Sequence, residues 1–348
     1  MVRVPDSLPS AVALSLTLFG PGVSHAADLQ WRAALGGQID ADPHGIADVG
    51  LRSGDWSAEL LTDTLDLRWR PEGDHGRAWV AARVATIAAG LFISPWTDGA
   101  PDPSAALRST YGGVEAGALR YLPRGFYAGV QGSARYQAFG AMPDTTVAVP
   151  EARPVGDADL LLGLWSPDVQ AWSRAGVDAW IEPGEGSRIA PHVHLQATVC
   201  PIWTLAPLVE LRVGAAQHQD AVTRTRLGGL NPYVVPLAGA AWAEWWVEDY
   251  LATRLGLRGR IPIDGAELSL SAFADAALAE EIVSSQPAGP WGVGFGGQAG
   301  VAAGRSHADL AVGHAPWIER QDGVGRTSVY LMVGVDWGQG ARLWHAAD

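Results

Sequence analysis

The sequence predicts an all-β protein: a transmembrane, antiparallel, up-and-down β-barrel of 14–16 strands, with 16 the best fit. Three observations predict it. Apolar and polar residues alternate with a period of two along most of the chain, which is the signature of strands with one greasy and one wet face. Short turns alternate with longer polar loops, and aromatic residues gather near the predicted strand ends.

In chain order, the first element is a targeting segment, MVRVPDSLPSAVALSLTLFGPGVSHAADL. Arg3 supplies a thin positive region, Ala11 to Phe19 an apolar stretch, and Ser24-His25-Ala26 a small-x-small cleavage site. Despite Asp6, Pro5 and Pro9, residues 1–26 read as a secretory signal peptide, leaving 27–348 as a single barrel domain. No later apolar run reaches the ~18 residues that a membrane-crossing helix needs. A membrane location therefore requires strands.

Strands are expected near 29–38, 46–53, 56–70, 76–93, 107–121, 126–139, 157–166, 169–181, 189–200, 204–217, 241–261, 265–278, 290–300, 305–314 and 326–337. In GFYAGVQGSARYQAFG (125–140), Phe126, Val130, Ala134 and Tyr136 oppose Tyr127, Gln131, Ser133, Arg135 and Gln137. In 266–276, Leu268, Leu270, Ala272 and Ala274 oppose Glu267, Ser269, Ser271 and Asp275; in 327–337, Val329, Leu331, Val333 and Val335 oppose Ser328, Tyr330 and Gly334. These segments number fifteen, whereas bacterial single-chain barrels have an even count. The alternation is weakest before residue 75, so the discrepancy is expected there.

Short breaks occur at 71–76, 122–125, 166–168, 200–203 and 261–265, and longer connections at 95–106, 140–156, 182–188, 218–240 and 279–290. Trp96, Trp165, Trp180, Trp203, Trp291, Trp317, Trp337, Tyr121 and Phe126 fall near strand ends, where an interfacial girdle would lie. The apolar faces mix Leu and Val with many Ala and Gly, a poor filling for a β-sandwich but a good surface for lipid. The polar faces carry Arg, Glu, His and Gln, which suit a hydrated or salt-bridged lumen, and closure leaves no bare strand edge.

Composition agrees. Charged residues make up 18% of the chain, while Gly (43) and Trp (16) are abundant. All 24 basic residues are Arg, and the net charge of −13 argues against a nucleic-acid partner, which would need a basic stripe. The single cysteine, Cys200, cannot form an intrachain disulfide and reads as a small packing residue.

From residue 224 onward the sequence resembles the BamA/TamA surface-antigen superfamily of outer-membrane barrels. The segments that carry the resemblance are RTRLGGLNPYVVPLAG (224–239), WAEWWVEDYLATRLGLRGRIPI (242–263), LSAFADAAL (270–278), WGVGFGGQAG (291–300), SHADLAVGHAP (306–316) and SVYLMVGVDW (328–337). The order matches a long loop with a Gly-Gly element, an F-x-D strand, a Gly-rich strand and an aromatic-terminated closing strand. The resemblance implies sixteen strands and makes Arg226, Gly228, Gly229, Phe273 and Asp275 the lumen-loop and strand motif. In the family, the arginine of an R-G-F/Y loop tip contacts the aspartate of F-x-D. That arginine is missing here, which leaves Arg226, Arg258 or Arg260 as expected partners of Asp275 and puts insertase-type activity in doubt. Members that assemble or translocate proteins carry POTRA domains before the barrel; the segment between Ala26 and the first strand has no room for one, so a barrel without them is expected.

By phase, Arg77, Arg83, Arg135, His192, His194, Glu210, Arg212, Glu244, Arg258 and Arg260 line the lumen, reading as a salt-bridged wall rather than an acid/base pair. His192 and His194 have no accompanying serine arrangement, and His307 and Asp309 share their spacing and the same reading. G-x-S-x-G, H-E-x-x-H, C-x-x-C and phosphate-loop motifs are absent. The Gly-rich 291–300 strand instead suggests curvature and close approach of the lumen loop.

The expected function is a membrane channel or a component of outer-membrane protein assembly or translocation, with no enzyme activity, cofactor or metal. A passive porin-like small-solute pore and an outer-membrane lipid hydrolase are the alternatives. The expected partners are outer-membrane lipids and periplasmic or lipoprotein partners.

Overall fold

The computed structural model describes residues 30–335 except 41–43, 63, 86–90, 94–95, 98–99, 167, 183–185, 200–203, 220–223, 231–233, 242–243, 281–290 and 321–322. The signal segment 1–26, Cys200, Trp203 and Trp337 lie outside the described residues, as do the side chains of Trp96 and Trp317.

Sixteen antiparallel strands close into a barrel. They are β1 (Gln30–Ile39), β2 (His44–Ser53), β3 (Trp56–Leu61), β4 (Thr64–Trp69), β5 (Gly76–Ala85), β6 (Leu107–Tyr121), β7 (Phe126–Ala141) and β8 (Arg153–Trp165). They continue as β9 (Val169–Glu182), β10 (Gly186–Val199), β11 (Leu205–Ala216), β12 (Asp249–Ile263), β13 (Ala266–Glu280), β14 (Trp291–Ala303), β15 (Ser306–Arg320) and β16 (Gly323–Val335). Each strand pairs with its sequence neighbour, and β1 closes the cylinder against β16 from Ala33↔Val335 to Ile39↔Val329. Every wall strand thus has partners on both edges, which removes the unpaired backbone groups that hydrocarbon does not tolerate.

The sixteenth strand lies before residue 75. The 56–70 segment turns at Thr62, whose φ of +55° permits the tight reversal, and becomes the hairpin β3–β4 with Leu61 opposite Thr64. The expected 241–261 strand starts only at Asp249, and the described residues before it belong to a loop. Beyond β5, Leu91–Ile93 pairs again with β6.

The period of two sorts side chains between bilayer and lumen. Leu35, Val130, Leu160, Leu162, Leu257 and Val333 point outward and are exposed, Leu35 at 67% and Leu160 at 62%. Leaving one such side chain in water forfeits about 1.5–3 kcal/mol; a whole belt of them belongs in hydrocarbon. Trp31, Trp56, Trp69, Tyr121, Phe126 and Trp165 ring the short-turn end, and Tyr136 and Trp291 stand outward nearer the other. Trp180 departs from the expected girdle: it faces inward, 3% exposed, against Val155 and Ala190. Belt, girdle and closure are those of an integral outer-membrane barrel.

Candidate functional site

The long 217–248 connection between β11 and β12 does not stay outside. Its described residues fold back into the lumen, where Leu227, Leu237, Ala238, Ala240, Ala241, Glu244, Trp245 and Val247 have no exposed surface. Thr225–Leu227 pairs with Trp245–Val247 as a two-stranded ribbon, and single bridges tie Leu227 to Val235 and Gly229 to Leu237.

The ribbon has two faces. Leu227, Trp245 and Val247 pack with Tyr250 and Ala252 of β12, Ala277 and Ala279 of β13 and Ala315 of β15. Trp246 points the other way and packs with Leu107 of β6 and Phe139 of β7. Further along, Leu230 and Ala238 join Ala34, Ile46, Phe273, Ala311, Tyr330 and Met332.

The wall makes room for the loop by lacking side chains. A Cβ on Gly294 would overlap the Ala238 carbonyl oxygen, and one on Gly313 would come within 2.9 Å of Ala238 Cβ. Gly292 faces the Trp245 ring at 2.5 Å by the same construction. The Gly-rich strand therefore admits the close approach of the loop backbone. On the loop, Gly228 and Gly229 adopt φ of +124° and +92°, conformations that a side chain resists.

Main-chain donors hold the loop to the wall. The Leu230 N–H donates to Gln38 Oε1 at 2.8 Å, Ala238 N–H to Asp275 Oδ2 at 2.9 Å, and Gly239 N–H to Ser328 Oγ at 3.2 Å. Arg212 Nη1 donates to the Val234 carbonyl at 3.2 Å. Wall strands β1, β11, β13 and β16 thus grip one loop. The Asp275 carboxylate is 1% exposed and is also clamped by Arg254, with Nε to Oδ1 at 2.7 Å and Nη2 to Oδ2 at 2.8 Å. The Arg254 guanidinium lies 3.9 Å from the centre of the Phe273 ring.

The expected partners of Asp275 are therefore displaced. Arg254, directly opposite on β12, takes the carboxylate, whereas Arg226 stacks on Trp246 at 4.4 Å. Arg258 and Arg260 stand inward on β12 opposite Ser271 and Ser269. Glu244 sits in the loop rather than in a wall strand, and its Oε2 accepts from the Ala241 N–H at 2.8 Å. Gln38 is an anchor that residue-by-residue reading passed over, while Arg254 and Ser328, both on polar faces by phase, were not read as anchors.

The remaining residues form an ionic belt across the lumen. Arg83 meets Asp66 at 2.7 Å and Glu115 at 3.5 Å, and the Trp79 indole N–H donates to Glu115 at 2.8 Å. Arg135 lies 3.9 Å from Asp157, and Glu210 pairs with Arg212. His192 is held by two carboxylates, Nε2 to Asp159 at 2.8 Å and Nδ1 to Asp178 at 3.2 Å. His194 lies between the rings of His192, at 5.4 Å, and Tyr250, at 6.3 Å. Arg77 is half-buried on the inward face of β5 opposite Leu119. Among the described residues no group of His, Cys, Asp and Glu could hold a metal ion. The arrangement can close the lumen and hold the loop in position.

No protein-family model matches the chain, and no curated protein matches it in sequence. Solved structures do share the fold. CdiB from Acinetobacter baumannii superposes with a TM-score of 0.63 at 8% identity over 88% of this chain, and CdiB from Escherichia coli with 0.56 at 11% over 88%. BamA from Haemophilus ducreyi lacking POTRA domains 1–3 gives 0.56 at 8% over 88%. The chain spans 60% and 62% of the two CdiB chains and 70% of the BamA chain. The barrel shares its fold with the CdiB and BamA barrels.

Proposed function

We propose that this chain is an outer-membrane translocation or assembly barrel whose lumen is closed at rest by its own 217–248 loop. The observation that carries the reading is the seating of that loop: three backbone amides on three wall acceptors, with glycines cleared beneath. A passive pore gains nothing from such a fitted obstruction. A barrel that admits cargo on demand needs one. The shared architecture with CdiB and BamA supports the assignment to translocation or assembly, and periplasmic or lipoprotein partners would supply or receive the cargo. Lipids contact the outward belt.

Planar-bilayer recording tests the reading. The intact chain is expected to show little steady conductance, and a variant lacking residues 225–247 large, long-lived openings. Equal conductance in both would replace this reading with the porin-like one.

A further inference from the structure

Most interior arginines of this barrel have a carboxylate beside them: Arg83 has Asp66, Arg135 has Asp157, Arg212 has Glu210, Arg224 has Glu248 and Arg254 has Asp275. Arg226 departs from the pattern. It lies in the loop, outside the spanning strands, and its recorded side-chain contact is the Trp246 ring at 4.4 Å, without an acid among the described residues. Burial lowers its pKa to about 10, and among the described residues no carboxylate pulls it back up. The group stays cationic at neutral pH while partly withdrawn from water, which is costly for an ion with no acid beside it among the described residues.

Its surroundings are prepared for recognition. Trp246 packs with Phe139 and Leu107 near the loop end of β6 and β7. On the facing wall Arg153 is buried with its guanidinium 5.6 Å from the Phe139 ring and 5.2 Å from the Trp180 ring. One aromatic cluster therefore carries two arginines, one from the loop and one from the wall. An arginine stacked on an indole is pre-oriented, with the edge of its planar fork left for the two oxygens of a carboxylate or phosphate.

We propose that Arg226 on Trp246, facing the Phe139–Arg153–Trp180 wall, is a binding site for an oxyanion group, carboxylate or phosphate, of a small solute entering from the loop end. Occupancy supplies the missing counter-charge and draws the loop and the β7–β9 wall together. The site needs the loop lodged in the lumen, but does not depend on whether that loop gates transport.

Titration calorimetry of the detergent-solubilised full chain tests it, with sodium phosphate and sodium acetate as separate arms at ionic strength fixed by sodium chloride. Saturable binding is expected for at least one anion, and the arms identify which oxyanion the site takes. Arg226→Gln should weaken that binding at least tenfold, while Arg52→Gln, at the turn end, leaves it unchanged. Heat-modifiable gel mobility confirms that each variant is folded. Should Arg226→Gln fail that check, Arg226→Lys keeps the charge but loses the fork and should bind several-fold more weakly. Absence of saturable binding of either anion, or unaltered affinity in the folded Arg226 variant, overturns the proposal.

Discussion

Arg254 and Asp275 stand directly opposite each other on β12 and β13, and the pair does two things at once. The arginine fork neutralises the carboxylate from one side, while Asp275 Oδ2 also receives the Ala238 N–H of the lumen loop. The wall ion pair is also the loop's seat.

Removing the acid should therefore cost both the wall and the loop. Asp275→Ala leaves a buried guanidinium unpaired, a loss of about 3–5 kcal/mol. Denaturant titration followed by heat-modifiable mobility should show the fall in midpoint, and an unshifted midpoint would remove the pair from the account of stability.

Overfilling the seat should expel the loop without touching any charge. Gly294→Val places a side chain where the Ala238 carbonyl lies. Overpacking of this kind costs about 1–3 kcal/mol, so the loop should leave its seat about 5–150 times more often. Limited trypsin digestion at Arg224 and Arg226 reads this directly, and equal cleavage rates in the two proteins would contradict the close fit.

His192 should prove structural. In His192→Ala, Asp159 and Asp178 lose the donor between them, at a cost of about 1–3 kcal/mol. Purified protein should hydrolyse no phospholipid above the background of an unrelated barrel. Hydrolysis that the substitution abolishes would revive the hydrolase alternative.

The amino terminus offers an independent check of export. Cleavage after Ala26 gives a membrane-extracted protein starting at Ala27, and intact-mass spectrometry distinguishes this from the uncut chain. An uncut mass in purified outer membranes would rule out the expected signal peptide.

The wall was legible because its period of two has one physical cause, lipid on one side and water or ion pairs on the other. Pairing across β12 and β13 was legible too, though unused. Arg254 and Asp275 are equidistant from the Asp264-Gly265 turn, so the hairpin register alone places them face to face. Within the expected 241–261 strand, 244–248 was misread as wall because Trp245, Trp246 and Val247 look like strand residues. They are buried on both faces of a ribbon inside the lumen, and a local pattern does not distinguish that from hydrocarbon. The anchors Gln38 and Ser328 lie 192 and 89 residues from the amides they receive, beyond the reach of any local pattern.

The clearance beneath the loop also fixes the shape of what its departure would leave. Gly292, Gly294, Gly313, Ala277 and Ala315 would form a shallow, nearly featureless gutter, while Asp66, Arg83, Glu115, Arg135 and Asp157 project from the opposite arc. The vacated opening would be a lopsided crescent, one bank low and broken by the Arg254–Asp275 pair, the other studded with ion pairs, and a passing chain would travel with its two flanks in different surroundings.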